Sequence, residues 1–102
     1  MSENLNTEYK SSFNDAVIET LTAFANTKGG QVWVGVNGTG VPIPGFIIGE
    51  ESVQQYLNEI KNKTRPAIIP DAKILTMNGK SVLAFSIQEF PIKPVSFKGR
   101  YY

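Results

Sequence analysis

Two glutamates, Glu3 and Glu8, stand five positions apart near the start of the chain. A pair of carboxylates converging on one point can hold a divalent cation and activate water for phosphodiester cleavage. Two glutamates at this spacing are equally ordinary as surface charges. The chain contains no histidine and no cysteine. It therefore lacks the commonest general base and metal ligand, thiolate chemistry and any disulfide framework. A zinc site is not expected, because only carboxylates remain to ligate it.

A second candidate is the polar joint Asn26-Thr27-Lys28-Gly29-Gly30, set between two apolar stretches. Phosphate favours glycines that open a helix, where free N–H groups and the positive dipole end lie. Here the glycines follow a helical pattern and precede a strand. Neither G-x-x-x-x-G-K-[ST] nor a strand leading into G-x-G-x-x-G is present. A helix stop accounts for the glycines better than a phosphate cradle does. It leaves the amide, hydroxyl and ammonium of Asn26, Thr27 and Lys28 together at one sheet edge. Basic residues gather in two further places. Lys61, Lys63 and Arg65 run out of a helical stretch, and Lys93, Lys98 and Arg100 are interleaved with Phe97, Tyr101 and Tyr102. Cations beside aromatics suit single-stranded nucleic acid. They also suit a solvated helix end and an edge strand protected by lysines.

The elements that must position these residues are legible from periodicity. The chain has 102 residues, 41% hydrophobic and 19% charged, enough for one domain with one core. The net charge is only +1, so any nucleic-acid surface is a local patch. No stretch reaches the roughly 18 to 20 apolar residues of a membrane span, and the start lacks a signal-peptide pattern. A cytoplasmic protein is expected, with no membrane partner. The aromatic end, SFKGRYY, reads as a domain cut from a longer chain. A first helix follows Ser12, which with Asp15 resembles a capping box, and Phe13, Val17, Leu21 and Phe24 recur at helical spacing. Gln31 to Val36 reads as a central strand covered on both faces, with Val32, Val34 and Val36 on one side and Trp33 on the other. Pro42 and Pro44 bar the next segment from a regular strand. A second helix starts near Glu50 to Ser52, buries Val53, Tyr56, Leu57 and Ile60, and ends before Pro66. Lys73 to Met77 and Ser81 to Ile87 flank an Asn78-Gly79 hairpin signal. Thr7 to Ser11 supplies a strand at the start and Val95 to Tyr102 one at the end. The order is β-α-β-α-β-β plus a C-terminal strand: an α/β (α+β) layered domain with a mixed sheet and two helices.

In that order the residues resemble a known family. Glu8-Tyr9-Lys10, then Ala23-Phe24-Ala25-Asn26-Thr27-Lys28-Gly29-Gly30, then Val34-Gly35-Val36, look like the E-x-K, A-x-A-N-[ST]-x-G-G and G-V-[DN] motifs of the Schlafen-type Alba-like domain. Phe90-Pro91 through Tyr102 looks like its Pro-rich stretch and final strand. The resemblance implies a single Alba-like domain over residues 1–102, the N-terminal piece of a longer protein. Such proteins are named as transcriptional regulators or RecG-related ATP-dependent helicases, and the resemblance implies C-terminal domains that this sequence does not include. It implies nucleic-acid binding, DNA more than RNA, with a homodimer as a further expectation, the aromatic tail serving as the edge strand that pairs. The binding residues it suggests are Lys10, Asn26, Thr27 and Lys28, with Lys61, Lys63, Arg65, Lys98 and Arg100 as phosphate partners. Related animal domains cleave RNA with three acids. Glu3 and Glu8 match two of them, with Mg or Mn as the metal; the third position is Asn37, an uncharged amide. The expectation is therefore a binding domain without a cofactor and without its own catalysis, since no ATP-binding loop is present. The alternatives are a Glu3/Glu8 nuclease and an assembly module.

Overall fold

The computed structural model describes residues 6–101, the last two by backbone alone. Period-two alternation forms β1 (Thr7–Lys10), with Thr7 and Tyr9 buried and Glu8 and Lys10 half-buried. The chain then enters α1 (Asp15–Ala25), whose buried stripe includes Val17, Ile18, Leu21 and Phe24. The expected capping box is corrected. Asn14 is the cap: its backbone is extended and its Oδ1 accepts from the Ala16 N–H at 3.0 Å. Asn14 directly adjoins the first helical residue, whereas Ser12 lies two residues further out.

β2 (Gly30–Val34) runs parallel to β1 and antiparallel to β5 (Lys80–Ile87), so it is the inner strand expected. β4 (Asp71–Met77) completes the order β1-β2-β5-β4. The β4–β5 hairpin turns at Asn78-Gly79 with φ of 53° and 75°, the two positive angles of a type I′ turn.

The helices cover one face of this sheet. Val17 and Leu21 of α1, and Val53 and Ile60 of α2 (Glu50–Lys63), pack with Val32, Val34, Leu83 and Phe85. Phe13 stacks on Tyr56 at 4.1 Å and ties the two helical segments together. Each large apolar side chain fully buried here contributes about 1.5–3 kcal/mol. The opposite face carries a smaller cluster of Tyr9, Val36 and Val82, with Trp33, Leu75 and Met77 against it. None of these residues is helical, and on this face Gln31 is exposed and Trp33 half-buried, so the strand expected to be covered on both faces is only partly covered on this one. The side assigned to Val36 is corrected. Gly35 has a φ of +96°, and the Gly35 and Val36 N–H groups both donate to the Lys10 carbonyl, at 2.9 and 3.2 Å. This bulge shifts the alternation by one residue and moves Val36 to the Trp33 face.

Beyond α2 the chain builds a second sheet that periodicity did not indicate. β3 (Thr64–Arg65), β6 (Ser96–Phe97) and β7 (Arg100–Tyr101) pair in that order. The tail is thus not one strand. Lys98 and Gly99, with φ of 52° and 78°, fold it into a tight hairpin. Val95 and Phe97 are buried in the main core, so this small sheet is anchored to it. Residues 41–46 stay irregular, as their prolines require, apart from one bridge between Val36 and Pro42.

Candidate nucleic-acid interface

The candidate residues fall at the two ends of α1. At its C-terminal end, the Thr27 and Gly29 N–H groups donate to the Phe24 carbonyl at 3.1 and 2.8 Å. Gly29 adopts φ +81°, the left-handed stop expected. Close approach also fixes both glycines. A Cβ on Gly29 would lie 2.5 Å from the Ile87 carbonyl oxygen, and one on Gly30 2.7 Å from both the Asn6 carbonyl oxygen and the Phe24 ring. The Asn26 side chain clamps the tail: Nδ2 donates to the Val95 carbonyl at 2.8 Å, and Oδ1 accepts from the Val95 N–H at 2.7 Å. Thr27 Oγ1 donates back to the Ala23 carbonyl at 3.0 Å. Two of the joint's three polar side chains are thus engaged within the fold. Lys28 is exposed, on the wall of a groove of about 1170 Å³ that Gln31, Asp71 and Glu89 also line.

The other end of α1 lies about 16 Å away at helical rise. Here Lys63 Nζ is 3.0 Å from both Asp15 Oδ1 and Glu59 Oε2. Lys98 Nζ is 2.5 Å from Asp15 Oδ2 and sits over the Phe97 ring at 5.4 Å. Arg65 is exposed, with Nη1 donating to the carbonyls of Asn62 and Thr64 at 2.9 and 2.7 Å. Lys61 is exposed in the last turn of α2. The pairing of Thr64 with Phe97 and Arg65 with Ser96 brings these two tracts side by side, and Arg100 follows opposite Phe97 in the next strand. Lys10, the last residue of β1, lies 3.9 Å from Glu8. Hydrogen bonds from Lys98 and then Lys63 hold the Asp15 carboxyl below its usual range, against a smaller opposing effect of desolvation. Lys63 is raised, first by Asp15 and then by Glu59. These pairs are partly exposed, so they orient the side chains more than they stabilise the fold.

Asp15 is a candidate-site residue that the sequence reading placed only in a capping box with Ser12. Its lysine partners lie 48 and 83 residues away, a separation that no local spacing reveals.

Glu3 lies outside the described residues. Glu8 sits inside β1, whereas Asn37 lies past the bulge at that strand's end. Asn37 Oδ1 accepts from the Thr39 N–H, the Thr39 hydroxyl and the Val41 N–H at 2.9, 2.7 and 3.1 Å, so it organises its own loop. Among the described residues, no three His, Cys, Asp or Glu side chains come together. With Lys10 beside Glu8 and the Asn37 oxygen engaged, Glu8 and Asn37, the described members of the trio, do not fit a three-acid magnesium or manganese site.

A mixed four-stranded sheet with both helices on one face, and a small second sheet tied to α1, defines an Alba-like α/β domain. The family model described as Schlafen, AlbA_2 matches residues 3–102, and the chain belongs to that family. The fold is shared with the N-terminal domain of an ATP-dependent DNA helicase RecG-related protein from Nitrosomonas europaea, at a TM-score of 0.71 and 25% identity, over 87% of this chain and 66% of that one. It is shared also with the DIP2311 protein from Corynebacterium diphtheriae, at a TM-score of 0.68 and 18% identity, over 91% of this chain. The chain spans 19% of the length of the Corynebacterium protein. Among curated proteins, none matches the sequence. No helix among the described residues is long and apolar enough to cross a membrane.

Proposed function

We propose that this domain binds nucleic acid, DNA in preference to RNA, as the binding module of a transcriptional-regulator-like or RecG-related protein. Cleavage is not part of the proposal. The observation that carries it is the merging of two basic tracts, distant in sequence, by the β3–β6 pairing and by Asp15. Lys63 and Lys98 there pair with Asp15 and Glu59, and Lys61 and Arg65 are exposed beside them, which supports a local positive surface on a nearly neutral chain. Phosphates would compete with those two carboxylates for the ammonium groups. The backbone of Arg100 follows in the next strand, paired with Phe97, and Lys10 and Lys28 lie outside the patch. The preference for DNA rests on the description of the Nitrosomonas relative as related to a DNA helicase.

The test is a titration of labelled single- and double-stranded DNA and RNA at two salt concentrations, with magnesium present and product lengths checked. Binding should be salt-sensitive and the strands should stay intact. Replacing Lys61, Lys63, Arg65 and Lys98 with Ala should weaken it and flatten the log–log salt slope by about 0.7–0.9 for each phosphate no longer neutralised. An unchanged affinity and slope in that variant would sink the assignment.

A further inference from the structure

β4 is the longer edge of the four-stranded sheet, with seven residues against four in β1. Its hairpin fixes which backbone groups remain free. In a type I′ turn the flanking residues, Met77 and Lys80, exchange hydrogen bonds. Hydrogen-bonded pairs then recur every second residue, at Leu75 with Val82, Lys73 with Ala84 and Asp71 with Ser86. Ala72, Ile74 and Thr76 therefore turn their N–H and C=O groups away from β5. Among the described residues no strand meets them there. Exposed edges are commonly blunted by proline, a bulge or short length. β4 has neither proline nor bulge along its seven residues, and its one lysine, Lys73, is the charge that the pairing below satisfies.

The side chains favour one occupant. Asp71 and Lys73 are exposed, and the register puts both on the Trp33 face of the sheet. Ile69, just before the strand, is 68% exposed, and Leu75 is half-buried. We infer that β4 pairs antiparallel with β4 of a second copy of this chain, centred on Ala72, joining two four-stranded sheets into one. In that register each Asp71 faces the other copy's Lys73, and each Ile69 faces the other copy's Leu75. Both contacts are reciprocal, as a two-fold interface demands. Centring on Lys73 would oppose two ammonium groups, and centring on Ile74 would leave Asp71 opposite Met77 with no charge pair. Pro70 then faces Ile74 and gives no N–H, so the ladder holds about four main-chain hydrogen bonds. A foreign extended peptide would meet the same backbone without the reciprocal charges. The interface differs from the tail pairing expected above, because β7 belongs to the small sheet.

Sedimentation equilibrium on the full 102-residue chain tests this in three forms: unmodified, Lys73→Glu, and the exchange Asp71→Lys with Lys73→Asp. Both positions are exposed, so circular dichroism should be unchanged in all three. The unmodified chain should dimerise. Lys73→Glu sets two carboxylates against each other twice and should weaken the dimer about tenfold. The exchange recreates both charge pairs and should restore the affinity to within about threefold. A chain that stays monomeric to about 1 mM overturns the proposal. So does an unaffected Lys73→Glu variant, or an exchange as weak as the single change.

Discussion

The two ends of α1 use polar residues in opposite ways. The C-terminal end carries the most conspicuous motif of the sequence, and most of its groups face inward: the glycines meet backbone and the Phe24 ring, and Asn26 holds Val95. The N-terminal end carries no local motif. Its surface exists because the β3–β6 pairing brings cations from two parts of the chain together beside Asp15. A dense motif can thus be a structural joint, and a binding face can be assembled from residues that look ordinary one by one. The difference predicts that changes at the joint act on stability and changes at the basic end act on ligand.

The largest effects are expected at the glycines. Gly30→Ala drives a methyl group against the Asn6 carbonyl and the Phe24 ring, and Gly29→Ala adds a left-handed φ to its clash with the Ile87 carbonyl. Each should lower stability by about 2–3 kcal/mol, read from the urea midpoint at constant slope. A loss below about 0.5 kcal/mol would mean that the joint relaxes freely and is not the rigid end of the pair. Asn26→Ala comes next. It strands a partly buried N–H and C=O of Val95, for about 2 kcal/mol. Hydrogen exchange at Val95 and its neighbours should rise with it; protection equal to that of the unmodified chain would show that the clamp does not hold the tail.

Much of this architecture is legible in the sequence, and the failures share a cause. The helical stripe Val17-Leu21-Phe24, the Asn78-Gly79 hairpin and the proline-barred segment are local signals, and each appears in the fold. The bulge at Gly35 depends on how β2 meets the end of β1, so alternation alone assigns Val36 to the wrong face. The second sheet rests on strands of two residues, too short for any period to show. In the candidate site, Lys63 and Lys98 are legible as cations. Their convergence is not, because the residue that joins them is separated from both by tens of positions.

At the basic end the expected effects are smaller on stability and selective for ligand. Lys63→Ala and Lys98→Ala should each leave the urea midpoint nearly unchanged, since they remove solvent-screened, partly exposed pairs. Each should nonetheless weaken nucleic-acid binding and reduce the salt slope by about 0.7–0.9. A variant that lost stability without losing affinity would reverse the contrast between the two ends.

Asp15→Asn makes the finest distinction, because its two effects have opposite signs. The folded Asp15 carboxyl titrates below its ordinary value of 3.8, held there by Lys98 and Lys63. Its contribution is therefore complete above pH 3.8 and fades as pH falls through the lower folded value. Lys63, raised above 10.5, loses its share only as alkaline pH passes the higher folded value. Between these limits the urea midpoint should show a plateau in both proteins, with the Asn variant slightly lower. Below pH 3.8 the unmodified chain should lose stability more steeply, and the two curves should converge. At neutral pH and low salt the same variant should bind nucleic acid more tightly, because one competing carboxylate has gone while Lys63 and Lys98 keep their charge. Weaker binding would instead mean that Asp15 is needed to hold the two lysines in place, and parallel acid curves would mean that the bridge does not form in solution.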